Sequence, residues 1–298
     1  ALNPLLLRYI PSLHVETMLT FMFTLMVWCA YRYWQRPTVR HAVLAGVAGG
    51  LAALTKAVAL PFIPVFFVAM ALTRWRANRR DRSGARAAVP WRLGIVAIAA
   101  MLATVAPWTI RNYRSSGHFV LISTGTSDAF LRGFFFSEWQ YITLQEPPYT
   151  GAENASNLYL AEVASEAGTV WERDDYETEQ ILNDEMVRRI RAEPLGVVRK
   201  TFFGLFTFWY QLTGRSSSAI AGACALAAWV LALIGWRRAH RDGTVVWPFL
   251  IGPLYLNVML ALLLALGRYS APVLPSLFVV SAFGVDTLMR RWVGVRDG

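Results

Sequence analysis

Five basic residues lie at the ends or breaks of apolar stretches, and they are Arg8, Lys56, Arg111, Arg114 and Arg268. A charge beside a membrane core is costly unless an anion balances it. Arg can hold a phosphate group through two parallel hydrogen bonds, and Lys can act as a point charge. The hypothesis is therefore that some of these cations bind the phosphate of a lipid. The alternative is that each is a helix-end cation whose side chain reaches the headgroups.

Carboxylates near the same boundary are the candidates for acid–base chemistry. Glu16 opens an apolar stretch, and Asp128 and Glu138 lie in a polar segment further along the chain. Transfer of a group to a hydroxyl or amine needs a carboxylate that takes or orients the proton of the acceptor. No spacing singles out one of these acids, and Glu16 has the alternative role of a favourable charge at a helix start.

Other reaction centres have no support in the sequence. The four His residues are scattered without metal-ligand spacing, so we predict no metal site, and whether a divalent cation takes part stays open. The two Cys residues lie in apolar runs, which excludes a disulfide framework. The motifs of serine hydrolases, zinc proteases, P-loop proteins and dinucleotide-binding proteins do not occur.

The elements that position these residues are apolar segments of membrane-spanning length. Of the 298 residues, 55% are hydrophobic and only 16% are charged, which is too apolar for a typical soluble domain. An apolar run from Val39 to Thr73, interrupted by Lys56, is too long for one crossing and predicts two helices. We therefore predict an all-α polytopic bundle of about seven transmembrane helices, at 17–34, 39–55, 57–73, 92–110, 218–236, 245–266 and 269–289.

The distribution of charge predicts the orientation of this bundle. The net charge is +10, but residues 111–200 carry −5 and the remainder carries +15. Basic loops mark the cytoplasmic side, and the segment 74–92 holds seven Arg residues and one acid. We predict two membrane parts, 1–110 and 218–298, an extracytoplasmic segment, 111–217, and a cytoplasmic C-terminus in an inner or plasma membrane. The same distribution removes the support for a nucleic-acid partner.

The predicted extracytoplasmic segment has three parts. Residues 125–151 are polar and aromatic and predict an ordered loop. The acidic run Asp174-Asp175-Tyr176-Glu177 predicts a helix start, and the helix then extends to about Ala192 before Pro194. Residues 201–213 are apolar but too short to span a membrane, so we predict an interfacial or re-entrant helix.

Four stretches together resemble one family of membrane enzymes. Residues 106–114, APWTIRNYR, with the following glycine, valine and Ser-Thr pair, are similar to the PWxxRNyxxxGxxVxxST signature of GT-C glycosyltransferases. The chain more narrowly resembles the family 39 group, which includes protein O-mannosyltransferases and the lipid A aminoarabinose transferase. The other stretches are Val15-Glu16-Thr17, the segment GVAGGLAALTK ending at Lys56, and RYSAPVLP from Arg268.

The resemblance implies a transferase that takes a sugar from a polyprenyl-phosphate donor outside the cytoplasm, with membrane lipids around it. The phosphate would leave, and a lipid, glycan or protein would accept the sugar with inversion at the anomeric carbon. The main catalytic acid of the family precedes the region of Ala1, so we expect further helices and that acid upstream. The candidate site residues that the resemblance leaves are Glu16, Lys56, Arg111, Asn112, Arg268 and Tyr269, followed by Tyr113 and Arg114.

Two other functions remain open from the sequence. A lipid-carrier flippase or transporter would also bind a lipid phosphate, although internal repeats are common in transporters and none is visible here. A structural or assembly subunit is the remaining alternative. The clustering of polar residues at one face of the predicted bundle favours chemistry at the membrane surface.

Overall fold

The computed structural model describes residues 15–80, 91–147, 150–171 and 176–293, and within these ranges the chain is helical and contains no strand. The helices are α1 (Val15–Gln35), α2 (Val39–Thr55), α3 (Phe62–Arg80), α4 (Trp91–Ser116), α5 (Thr126–Phe136), α6 (Trp139–Ile142), α7 (Gly151–Glu166), α8 (Tyr176–Ala192), α9 (Pro194–Tyr210), α10 (Arg215–Arg241), α11 (Trp247–Leu262) and α12 (Leu274–Val293). Short 3₁₀ helices occupy Ala57–Ala59 and Gly267–Val273. Arg8 and the predicted helix start at Asp174 lie outside the described residues.

The predicted membrane character is supported by the long apolar helices. Among the described residues, four helices are long and apolar enough to cross a membrane: Ala57–Arg76, Trp91–Ser116, Arg215–Arg241 and Gly267–Arg290. Helices α2 and α11 are apolar but shorter. The chain is therefore an all-helical protein with the features of a membrane-embedded one.

The predicted break at Lys56 is confirmed. Helix α2 ends at Thr55, and the backbone of Lys56 is extended, with φ −153° and ψ 118°. The 3₁₀ turn at Ala57–Ala59 follows, and α3 begins at Phe62. One apolar run thus forms two helices because an extended residue interrupts the helical hydrogen bonding between them.

The described chain forms two compact units. The first unit combines the described residues up to Glu16 with Asn112–Val230 and Leu254–Ala271. The second unit combines Thr17–Arg111, Leu231–Pro253 and the described residues from Pro272 onward.

Small residues set the helix packing of the second unit. A Cβ atom at Gly235 on α10 would lie 2.2 Å from the carbonyl oxygen of Val280, and one at Gly284 on α12 would lie 2.1 Å from that of Leu231. Each helix therefore places a glycine against the backbone of the other. Such close contact between helices depends on small side chains, because membrane helices associate through van der Waals packing.

Two helices lie within the segment predicted as an ordered loop, so that prediction is wrong for residues 126–136 and 139–142. Residues 126–136 form α5 and residues 139–142 form α6. Gly125 precedes α5 with φ 94°, a left-handed conformation that favours glycine. The carboxylate of Glu179 on α8 accepts hydrogen bonds from the backbone N–H groups of Gly125 and Ser127, at 2.9 and 3.0 Å. A cap from a distant helix is invisible to local sequence patterns.

The core of the first unit forms around α5. It consists of Phe130, Leu131, Phe134, Leu160 and Leu182, which are contributed by α5, α7 and α8. The predicted helix end at Ala192 is confirmed, and Pro194 takes the first turn of α9, where its missing N–H is not needed. Helix α9 therefore begins earlier than the predicted interfacial segment and ends at Tyr210.

The reciprocal glycine contact predicts that added volume destabilises the second unit. We expect Gly235→Ala and Gly284→Ala each to lower the free energy of unfolding by about 1–3 kcal/mol, because the new methyl groups would overlap backbone atoms. Thermal unfolding of the purified protein in detergent measures this. Ala227→Val is the matched control on α10, because Ala227 is exposed. An unchanged melting temperature for both glycine variants would contradict the packing described.

Candidate functional site

The structure brings three of the predicted site residues together in the first unit. The Arg268 Nε atom lies 3.4 Å from Glu16 Oε1. The Arg268 Nη2 group donates a hydrogen bond to the Tyr269 hydroxyl at 3.2 Å. The Glu16 side chain is 11% exposed and the Arg268 side chain 34%, so the guanidinium is paired and still accessible.

Arg268 projects from a backbone that α9 and its C-cap residue Gln211 hold in place. Gly267 N–H donates to the carbonyl oxygen of Gln211 at 2.7 Å, and a Cβ atom at Gly267 would lie at the same distance from that oxygen. The fully buried Gln211 side chain in turn donates to the carbonyl oxygens of Phe136 and Tyr141. Gly267 is thus required for this close approach, and it fixes the start of the 3₁₀ helix that carries Arg268 and Tyr269.

Lys200 on α9 is a buried cation that holds the other end of the same segment. Its Nζ group donates to the carbonyl oxygens of Leu262 and Leu263, at 2.6 and 3.0 Å, where α11 ends. It also lies 4.0 Å from the centre of the Phe130 ring. The carbonyl end of a helix attracts positive charge, and an aromatic face does the same. Even so, burial lowers the pKa of Lys200 from its ordinary value of 10.5 to about 7.

These contacts form one stripe along α9 and its C-cap, which we call the α9 stripe: Lys200, Gly204, Thr207 and Gln211. Their spacing of i, i+4, i+7 and i+11 places all four on one face. Gly204 packs against the backbone of Ala261, and Thr207 Oγ1 donates to the carbonyl oxygen of Ala265 at 3.5 Å. The stripe therefore provides contacts along the chain from Ala261 to Gly267, including residues 263–266, which lie between the end of α11 and the 3₁₀ helix.

The remaining predicted cations occupy other positions. Arg111 is exposed and is the last residue of α4 that belongs to the second unit. Its guanidinium lies 4.6 Å from the centre of the Trp108 ring. Lys56, also in the second unit, is the half-buried C-cap residue of α2. Asn112 donates both amide hydrogens to backbone carbonyls, those of Val120 and Ile122, at 3.1 and 3.0 Å. A phosphate contact through that amide would require the loss of a loop hydrogen bond.

The other two candidate carboxylates, Asp128 and Glu138, differ in their surroundings. Asp128 is buried and forms an ion pair with Arg132 at 2.7 Å, and Arg132 also donates to Ser156 and Asn157. This pair is buried in the first unit, where Arg132 links α5 to α7. Glu138 lies half-buried directly before α6, and its side chain makes no cap hydrogen bond there.

A further buried carboxylate joins α7 to α8. Glu185 accepts hydrogen bonds from the Tyr159 hydroxyl and from Arg188. Burial alone would raise the pKa of Glu185, but these hydrogen bonds and the charges of Arg188 and Arg189 outweigh it and lower that pKa. The cluster therefore favours an ionised Glu185 that binds the two helices together.

Comparisons with protein-family models, curated proteins and solved structures found no match.

Sequence reasoning missed the α9 stripe. The sequence pattern predicts an interfacial or re-entrant helix at 201–213 and gives no role to Lys200 before it or to Gln211 within it. The available signal was the spacing of a lysine, a glycine, a threonine and a glutamine at helical period within a phenylalanine-rich segment. That spacing predicts a helix whose polar face packs against the rest of the protein and whose apolar face points away from it.

The lowered pKa of Lys200 predicts a pH-dependent stability. Between about pH 7 and pH 10 the unfolded lysine binds a proton that the folded one has lost, so the free energy of unfolding rises with pH. From pH 7 to pH 9 we expect this contribution to reach about 2 kcal/mol. Thermal unfolding at the two pH values should show the rise in the wild type and not in Lys200→Met.

The matched control for this experiment is Arg199→Met, which removes an exposed cation from the adjacent position. It should keep the pH dependence of the wild type. Identical pH dependence in the wild type and Lys200→Met would contradict the assignment of this titration to Lys200.

Proposed function

We propose that the protein is a membrane glycosyltransferase that transfers a sugar from a polyprenyl-phosphate donor to a lipid, glycan or protein acceptor on the extracytoplasmic face. The observation that carries the proposal is the cluster of Glu16, Arg268 and Tyr269, which pairs an accessible guanidinium with a carboxylate. The resemblance of four ordered motifs to GT-C enzymes supports the same function.

The chemistry assigns a separate role to each charged group. The acceptor oxygen or nitrogen attacks the anomeric carbon, the bond from that carbon to the phosphate oxygen breaks, and a carboxylate takes the acceptor proton. Arg268 stabilises the charge that develops on the departing phosphate. Glu16 keeps Arg268 in place and is the candidate carboxylate within the described residues.

The proposal includes a membrane topology of seven crossings in an inner or plasma membrane. In this topology, residues 111–217 lie outside the cytoplasm and the C-terminus lies in the cytoplasm. The outward face of α9 supports an interfacial position for this helix, because Leu195, Val198, Phe202 and Phe206 are all more than half exposed. Apolar residues at this spacing form a face suited to the boundary between acyl chains and headgroups.

The proposal predicts that Arg268 contributes to the binding of a lipid phosphate. We expect Arg268→Ala to weaken the binding of polyprenyl phosphate to protein in lipid nanodiscs by about 10- to 100-fold, because charge-assisted hydrogen bonds contribute about 1.5–3 kcal/mol. Arg290→Ala is the matched control, since Arg290 forms an exposed pair with Asp286. Equal affinity of the wild type and Arg268→Ala would contradict the proposal.

Transfer itself separates this function from the alternatives. Protein that includes any residues encoded before Ala1 should transfer a radiolabelled sugar from a polyprenyl-phosphate donor to an acceptor in membranes. We expect Arg268→Ala to reduce this activity at least tenfold and Glu16→Gln to reduce it as well. Movement of the intact lipid across vesicles without transfer of its sugar would instead identify a flippase.

A further inference from the structure

A second candidate site lies in the first unit, beside the loop that follows α4. It is an open pocket of about 580 Å³. This volume lies within the range of about 300–1,000 Å³ that is typical of small-molecule sites. The C-terminal turn of α4, the segment 118–124 and the start of α8 line the pocket.

The lining presents hydrogen-bond acceptors in fixed positions. Ser115 and Ser116 donate their hydroxyl hydrogens to the carbonyl oxygen of Asn112, at 3.1 and 2.9 Å. Ser116 Oγ also accepts a hydrogen bond from the backbone N–H of His118 at 3.2 Å, which leaves one lone pair on that oxygen. The Asn112 amide hydrogens are committed to the loop carbonyls described above. A hydroxyl whose hydrogen is committed in this way offers its oxygen lone pairs to a ligand. Glu177 adds a carboxylate, which also accepts.

A flat ring pair borders the same pocket. His118 stacks on Tyr176 with ring centroids 3.9 Å apart and an angle of 6° between the planes. His118 is exposed and Tyr176 is half-buried, so the pair extends from the protein surface into the pocket lining. The two parallel rings together provide a flat aromatic surface.

The composition of the lining excludes several ligand classes. Its described residues include no Lys or Arg, and Glu177 supplies a negative charge, so an anionic ligand would be repelled. The aliphatic side chains among them are only Val120 and Ile122, which is too few for a lipid chain. A ligand that suits this pocket is uncharged, rich in hydroxyl donors and able to place a flat face on an aromatic ring.

We infer that this pocket binds a neutral saccharide through its hydroxyl groups. The ring face packs against the His118–Tyr176 pair, and the hydroxyl groups donate to Ser115, Ser116 and Glu177. This binding goes beyond the proposed transfer reaction and is independent of the lipid-phosphate cluster at Arg268. A protein that transferred no sugar would still bind saccharide here.

Saturation-transfer NMR on the detergent-solubilised protein tests this inference with three probes: maltotriose, mannotriose and the N-acetylglucosamine trimer. At least one should bind with saturable affinity at millimolar concentration or below. Tyr176→Ala should weaken that binding at least tenfold by removing the ring face, and Glu177→Gln should weaken it several-fold while it preserves the shape of the pocket. Trp139→Ala removes an exposed aromatic side chain outside the pocket lining and should leave binding unchanged.

Three results would overturn the inference. The first is the absence of saturation transfer from all three trisaccharides. The second is wild-type affinity for the saccharide both in Glu177→Gln and in a Tyr176→Ala variant that remains folded. The third is tighter binding of glucose 6-phosphate than of glucose, because the acceptor-rich lining should reject a phosphate. Loss of lipid-phosphate binding in Arg268→Ala with saccharide binding intact would show that the two sites are separate.

Discussion

The α9 stripe is the constraint on which the geometry of the candidate phosphate site depends. Residues 263–266 lie between the end of α11 and the 3₁₀ helix at Gly267–Val273, yet Arg268 must follow them in a fixed orientation. Lys200 holds the start of this segment, and Gln211 holds its end through Gly267. Gln211 itself is anchored to the carbonyl oxygens around α6. The packing of α9 against these residues thus determines where the guanidinium is presented.

Three cations of the first unit show how differently the same fold accommodates positive charge. Arg132 is almost fully buried and is neutralised by Asp128 with further hydrogen bonds. Lys200 is equally buried but relies on carbonyl oxygens and aromatic faces, so burial shifts its pKa to about 7. Arg268 has a carboxylate partner and remains one-third exposed. Of these three, Arg268 combines permanent charge with access, which is the combination that a phosphate ligand needs.

Local signals in the sequence predicted several elements and missed those that depend on distant contacts. The break at Lys56 and the end of α8 before Pro194 follow from apolar run length and proline geometry. Helix α5 was missed because its cap comes from Glu179 on another helix. Arg268 was identified as a candidate by its position, but its pairing with Glu16 and its support by Lys200 join residues far apart in the chain. Only tertiary structure can reveal such pairs.

The central claim is that the Arg268 guanidinium binds the phosphate of a lipid. The most direct test is a solid-state NMR distance measurement between ¹⁵N-labelled arginine side chains and the ³¹P nucleus of polyprenyl phosphate in membranes. The account predicts dipolar dephasing from a guanidinium within hydrogen-bond reach of the phosphate, and loss of that signal in Arg268→Lys. Dephasing that persists unchanged in Arg268→Lys, or that is absent at saturating lipid, would contradict it.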